Sequence, residues 1–259
     1  MDPAIEATDL AKRYGDETAV DGLTLSIPDG TVYGFLGPNG AGKTTTMRML
    51  TTLTTPTSGS ARVAGADVRD RSAVVEHIGY LPEEPPVFDE LSGREQLEYV
   101  AGLRDLGERA TPRIDELLDR FGLAEDADKR IGAYSKGMKQ KVGIAIAILH
   151  DPTVVFLDEP TSGLDPRAAR TVMDVVAELA SGDATVFLST HILPVVDELA
   201  DTIGVLSEGR LVAEGAPSDL KSQVTEGGGG TLEDVFLAVT GGPESVGHEG
   251  VASASGGRQ

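Results

Sequence analysis

Apolar residues in this chain come in short runs, and their spacing changes about a third of the way along. Ile5 to Tyr14, Leu23 to Ile27, Thr31 to Leu36 and Ala61 to Val63 are β-prone and are separated by turn pairs such as Asp29-Gly30. They predict a sheet edge feeding a loop after Leu36. From Ser92 onward the pattern is helical: Ser92 and Glu95 have capping-box spacing, and Thr111 with Pro112 predicts a helix start. A third helix is predicted from near Ser135 through Ile144, Ile146 and Ile148. Val154 to Leu157 then reads as a buried strand, Asp165-Pro166 as the opening of a helix, and Ala184 to Leu188 as the next buried strand. Strands and helices that alternate after a helical insertion are the order of a parallel α/β sheet, and no internal repeat suggests a second copy. Gly227 to Gly230 predicts a flexible break. Leu232, Val235, Phe236 and Val239 recur at helical spacing, enough to dock a short helix, and the Gly- and Ser-rich segment after Gly241 is predicted to lack order.

Composition narrows the classes. The 259 residues suffice for one good core, or a core with an inserted subdomain. No stretch approaches the roughly 18 consecutive apolar residues of a bilayer-spanning helix, and Met1 to Ala11 lacks the pattern of a signal peptide, so a cytosolic chain is expected. With no cysteine there is no disulfide, thiolate ligand or thiol nucleophile. A net charge of -20 argues against nucleic acid as a partner, since such binding relies on a basic face that releases counterions. The acidity, with Arg outnumbering Lys, also resembles proteins of organisms with molar cytoplasmic salt, where a Debye length of about 3 Å screens self-repulsion.

The sharpest signal is Gly37-Pro38-Asn39-Gly40-Ala41-Gly42-Lys43-Thr44, which fits G-x-x-x-x-G-K-[ST] directly after the β run ending at Leu36 and before a helix-prone stretch. Glycines let backbone N–H groups curl around phosphate, and the following helix adds its positive end. This loop, with the adjoining Thr45, is predicted to wrap the phosphates of a nucleotide. Lys43 would reach the β- and γ-phosphates, and the Thr44 hydroxyl would ligate Mg²⁺. Asp158 and Glu159 close the strand that starts at Val154. One carboxylate there can hold Mg²⁺ and the next can orient and deprotonate water, although a solvated strand end is the commoner fate of such a pair away from a phosphate loop. A guanine-specific switch is disfavoured because Asn39 is the only asparagine, which rules out an Asn-Lys-x-Asp guanine reader.

Three further stretches single out a family. Ala133-Tyr134-Ser135-Lys136-Gly137-Met138-Lys139-Gln140, then Val155-Phe156-Leu157-Asp158-Glu159-Pro160-Thr161-Ser162-Gly163-Leu164-Asp165-Pro166, then Leu188-Ser189-Thr190-His191 resemble the nucleotide-binding subunit of ATP-binding cassette (ABC) transporters, over roughly Ile5 to Leu220. The resemblance implies a P-loop NTPase of α/β class, with a RecA-like parallel sheet core, an N-terminal antiparallel β subdomain and a helical subdomain inserted at about residues 86–150. The ATPase domain would span residues 4–224, and residues 225–259 would form a linker, a docking helix and a tail. It further implies ATP and Mg²⁺ as ligands. Tyr14 would stack on adenine, Asp158 would be the second metal contact, Glu159 the general base and His191 the γ-phosphate switch. Asp165 would speak to the opposite subunit, while Ser135 and Gly137 would face the γ-phosphate of ATP held by that subunit, so hydrolysis needs a homodimer or a heterodimer. Bare sequence adds that Lys129, Arg130, Lys136, Lys139 and Lys141 form an acid-free basic run, a local positive field suited to a triphosphate. An ordinary basic helix face is the plainer reading. His77, His150 and His248 match no motif and read as structural or surface residues.

Two departures from the family pattern stand out. The usual Leu-Ser-Gly-Gly-Gln is here Tyr134-Ser135-Lys136-Gly137-Met138, which keeps the phosphate contacts and loses the glutamine. Glu83, in Ile78-Gly79-Tyr80-Leu81-Pro82-Glu83, occupies a position where the family commonly has a glutamine that touches Mg²⁺ and the attacking water; a carboxylate there binds Mg²⁺ better but repels the γ-phosphate. Thr231-Leu232-Glu233-Asp234-Val235-Phe236-Leu237 resembles the C-terminal end of ATPases serving ABC-2 type exporters. That implies separate transmembrane permease chains, gripped near Glu83 and the helical insertion, and a peripheral place on the cytoplasmic face of the membrane. An importer ATPase would share every catalytic residue. A non-transport ABC protein is disfavoured by the absence of a duplicated domain and of a basic surface, and a non-hydrolysing module is disfavoured by Glu159.

Overall fold

The computed structural model describes residues 3–182, 184–224 and 230–241. Most of the Gly227 to Gly230 break, and the segment after Gly241, lie outside the described residues. The first strands, β1 (Ile5–Tyr14), β2 (Glu17–Ile27) and β3 (Val32–Leu36), fall where apolar alternation places them, except that β2 begins at Glu17 and not at Leu23. Helix α1 (Lys43–Leu50) follows the phosphate loop, and then come β4 (Ser58–Val63), β5 (Ala66–Asp67), α2 (Arg71–Val75) and β6 (Ile78–Leu81).

Three helices separate β6 from the next strand: α3 (Gly93–Leu103), α4 (Ala110–Arg120) and α5 (Lys136–Ile148). Ser92 and Glu95 close a true capping box on α3, each side chain meeting the other's backbone N–H. Thr111 and Pro112 do not open α4. The helix starts at Ala110, after a short 3-10 turn, so Pro112 occupies the third helical position, where an N–H has no intrahelical acceptor and its loss costs nothing. Ser135 caps α5 by accepting from the Met138 N–H. Next are β7 (Val154–Asp158), α6 (Pro166–Ser181, capped by Asp165), β8 (Thr185–Thr190), α7 (Leu193–Leu199), β9 (Thr202–Ser207), β10 (Arg210–Gly215), α8 (Pro217–Gln223) and α9 (Leu232–Thr240).

Strands β2-β1-β4-β5 form an antiparallel sheet, and β10-β9-β3-β8-β7-β6 form a second one, parallel except for β10. Alternation along the central strands sorts the core into two layers. Tyr33, Phe35, Phe156 and Phe187 point toward the antiparallel sheet and enclose Met47 and Met49 of α1; Leu36, Val155, Leu157 and Leu188 point toward the helices. Two glycines let α5 lie against β6: a Cβ on Gly79 would sit 2.1 Å from the Ala147 carbonyl oxygen, and one on Gly143 would sit 2.6 Å from Leu81 Cδ1. On α9, Leu232 and Val235 are buried, and Phe236 and Val239 pack on the same core, as their spacing predicts. Among the described residues no helix is long and apolar enough to cross a membrane.

Candidate functional site

The phosphate loop joins β3 to α1 and needs its glycines. Gly40 and Gly42 have φ of +82° and +105°, and a Cβ on Gly42 would come within 2.4 Å of the Ala19 carbonyl oxygen. Gly42 caps α1 without a side chain, so no capping oxygen of its own competes for the first-turn N–H groups. The loop is one wall of a cleft of about 670 Å³ whose lining includes Tyr14, Pro38, Asn39, Gly40, Gly42, Lys43, Thr44, Thr45, Glu83, Glu159 and His191. These positions, scattered from residue 14 to residue 191, are brought together much as their motifs predict. Gly37 and Ala41 act from behind: Gly37 accepts from Lys43 Nζ at 2.7 Å, and Ala41 accepts from the Gly209 N–H at 2.9 Å. Tyr14 stands on the rim, 47% exposed, with Lys12 Nζ 5.0 Å from its ring centre.

Opposite the loop, the parallel register of β7 and β8 sets Asp158 beside Ser189. The Ser189 hydroxyl donates to Asp158 Oδ1, while Asp158 Oδ2 is buried without a hydrogen bond. Glu159 follows at φ +49°, a left-handed conformation that costs a non-glycine residue about 1–3 kcal/mol and persists because its N–H is tied to the Ser189 carbonyl at 2.9 Å. Its Oε2 accepts from the Thr190 hydroxyl at 3.0 Å and from the His191 N–H at 3.4 Å. Its Oε1 lies 3.0 Å from His191 Nδ1 and 3.5 Å from Lys43 Nζ, yet takes an aligned hydrogen bond from neither. Lys43 is thus nearly buried and turned onto Glu159 and the loop carbonyls.

The donors that could hold a metal are oxygens: the Thr44 hydroxyl, the orphaned Asp158 Oδ2, and the carboxylate of Glu83, which lines both the main cleft and a smaller one of about 330 Å³ shared with Thr44 and Asp158. Such a set suits a hard cation like Mg²⁺. Among the described residues no cluster of three or more His, Cys, Asp or Glu could hold a metal unaided, so phosphate oxygens or water would have to complete the shell. Tyr80 stands in the same small cleft, its hydroxyl pushed up to about 12, first by burial and then by the charge of Asp158.

Ser135, Gly137 and Asp165 are not part of this cleft. They line a separate hollow of about 300 Å³ between α5 and α6, where Asp165 Oδ1 accepts the Arg167 and Ala168 N–H groups. The basic run does not present the open positive field its sequence suggests. Lys129 pairs with Asp126, Arg130 with Glu95 and Lys139 with Asp89, and Lys141 donates to the Phe121 carbonyl. Two of these acids, Glu95 and Asp89, are folded onto the run from distant sequence, and Asp126 pairs locally; among the described residues, Lys136 makes no ion pair or hydrogen bond. Sequence reasoning missed Glu17, Thr18, Ala19, Ser162, Glu208 and Gly209, which also line the main cleft. Ser162 lies inside the Val155 to Pro166 motif without having been assigned a role, and the Glu208-Gly209 turn pair left a local trace. It is docked by the Gly209 N–H on Ala41 and by the Gly209 carbonyl accepting from the Asp21 N–H at 2.9 Å.

With this geometry in place, comparison with known proteins is direct. Residues 20–162 match the family described as ABC transporter. The chain is 46% identical over 242 residues to the daunorubicin resistance ATP-binding protein DrrA3 of Streptomyces coeruleorubidus, covering 93% of this chain and 75% of that one. It is 40% identical over 216 residues to the bacitracin transport ATP-binding protein BcrA of Bacillus licheniformis, covering 83% and 70%. A solved ATP-binding subunit of an ABC transporter superposes with a TM-score of 0.83 at 31% identity, covering 91% of this chain and 99% of that one.

Proposed function

This chain belongs to the ABC transporter family, and from that premise we propose that it is the ATP-hydrolysing subunit of an exporter, driving transport through separate membrane permease chains from the cytoplasmic face. Export is favoured because the relatives are named for drug resistance and bacitracin transport. One observation carries the hydrolytic reading: Glu159, strained and buried at a strand end, holds an oxygen free of hydrogen bonds in the cleft that the phosphate loop lines.

Loop N–H groups and Lys43 bind the phosphates, for which Lys43 must leave Glu159 and the carbonyls of Gly37 and Pro38. Mg²⁺, when bound, neutralises charge on the β- and γ-phosphates; Thr44 and Asp158 would hold it, with Glu83 near the water. Glu159 accepts the proton of the attacking water, and His191 bridges that carboxylate and the γ-phosphate. Tyr14 offers its ring to adenine. Since Ser135, Gly137 and Asp165 lie outside the cleft, a second subunit, placed head to tail, brings its own Ser135 and Gly137 over the γ-phosphate, and Asp165 contacts the opposite subunit. ATP then closes the pair and hydrolysis reopens it.

Phosphate release by Glu159→Gln against the parent chain tests this. Loss of a positioned base is expected to slow turnover by about 100-fold or more while nucleotide still binds. Equal rates would refute the assignment.

A further inference from the structure

Glu159 is an unbranched, freely rotating side chain, and a base in that state would spend little time aimed at a water. What holds it is the end of β8. The register that sets Asp158 opposite Ser189 leaves Glu159 beside Thr190, just past the ladder. Thr190 is fully buried. Its hydroxyl oxygen accepts the Ile192 N–H at 3.1 Å, so its proton is committed to the other neighbour, Glu159 Oε2, at 3.0 Å. The His191 N–H reaches the same Oε2, whereas Oε1 takes no hydrogen bond.

We propose that Thr190 is a positioning residue for hydrolysis: its hydroxyl ties down Glu159 Oε2, so that Oε1 alone is left to take the proton from water once Lys43 moves to the phosphates. This rests on the reading of Glu159 as the base. The two oxygens of the carboxylate then have separate tasks, one anchored to the strand end and one working in the cleft. A valine at this position would keep the shape and burial but leave both the Ile192 N–H and Oε2 without their partner. A serine would restore the hydroxyl at the cost of a methyl group. Because Thr190 does not line the cleft, its loss should not disturb ATP binding.

The test uses the full chain and compares Thr190→Val, Thr190→Ser, Thr190→Ala and Glu159→Gln with the parent, reading steady-state ATP hydrolysis, KM, and Kd for a fluorescent ATP analogue. Thr190→Val is expected to lower kcat by about 10-fold or more, since small misplacements of a reacting group cost that much, with KM and Kd within about twofold of the parent. Thr190→Ala, smaller but equally without the hydroxyl, should match it, and Thr190→Ser should recover kcat to within about threefold. The proposal is overturned if Thr190→Val keeps the parent kcat while Glu159→Gln is inactive, if Thr190→Ser is as slow as Thr190→Val, or if Kd worsens in step with kcat. If Glu159→Gln itself hydrolysed at the parent rate, the base assignment would fall and this inference with it.

Discussion

The phosphate-loop cleft and the hollow at the start of α5 both carry motif residues, yet they are built to different degrees of completion. In and behind the first, Lys43, Asp158, Glu159 and Thr190 are buried; Lys43 is bonded to the loop, Asp158 to Ser189 and Glu159 to Thr190, and the strain at Glu159 is sustained by β8. In the second, Ser135 and Asp165 are engaged in capping helices, and most of the nearby basic residues are paired with acids of their own chain. On the proposed reading, one chain contains a whole phosphate site and only half of a hydrolytic one. Burial is the telling difference: under the proposed function Ser135 and Asp165 serve a second subunit and so stay exposed, with capping as their role within the single chain.

The largest effect should come from the finished region. Lys43→Ala removes a charge-assisted contact worth about 2–3 kcal/mol, so ATP affinity is expected to fall by about 30- to 150-fold in a direct binding titration, with hydrolysis lost. Unchanged affinity would remove the phosphate-loop reading itself. The unfinished region should respond differently. Ser135→Ala is expected to cost about 1 kcal/mol of stability through the lost cap, to leave ATP binding by the isolated chain intact, and to abolish most turnover. Mixing inactive Lys43→Ala and Ser135→Ala chains should restore phosphate release, because one of the two interfaces in the mixed pair then has both intact halves. A mixture as inactive as its components would break the comparison.

The smallest effect concerns the far end of α5. His150 Nε2 donates to the Ile78 carbonyl at 3.0 Å, pinning that end to β6, and burial, helped by the Arg104 charge, pushes the imidazole down to about 4. Unfolded, it titrates near 6.5, so between these values the unfolded chain binds the extra proton. Its contribution is full above about pH 6.5 and is lost as pH falls toward about 4. Discounted for partial exposure, the loss is about 1–2 kcal/mol. Urea unfolding at mildly acidic and neutral pH should show a pH-dependent difference between the parent and His150→Gln; an identical pH dependence would refute it.

Motifs read on the sequence marked the loop residues Pro38 to Gly40 and Gly42 to Thr45, with Glu159 and His191, that line the main cleft, and Asp158, which lines the smaller one beside Thr44; the capping signals at Ser92, Ser135 and Asp165 located helix starts. The same reading failed where a local signal was weak or overruled. Thr111-Pro112 looked like a start because proline is tolerated anywhere in a first turn, so the pair marks a neighbourhood and not a residue. Strands β5, β6, β9 and β10 were not predicted, and with β9 and β10 went Glu208 and Gly209, whose presence at the cleft depends on a turn docking on Ala41.

Local chemistry was thus determined by the sequence alone: a loop shaped for phosphate, a carboxylate pair after an apolar strand, and helices with their caps. Those features depend on residues a few positions apart, whose geometry a short segment sets for itself. The tertiary structure decided which charges remain free and which oxygen of Glu159 is available. Asp89 and Glu95 reach back to neutralise part of a run that looks bare on paper, and Thr190 reaches Glu159 only because two parallel strands, 31 residues apart in sequence, end side by side. Hydrogen bonds and ion pairs act over a few ångströms, and proximity between distant segments exists only once the sheet has formed.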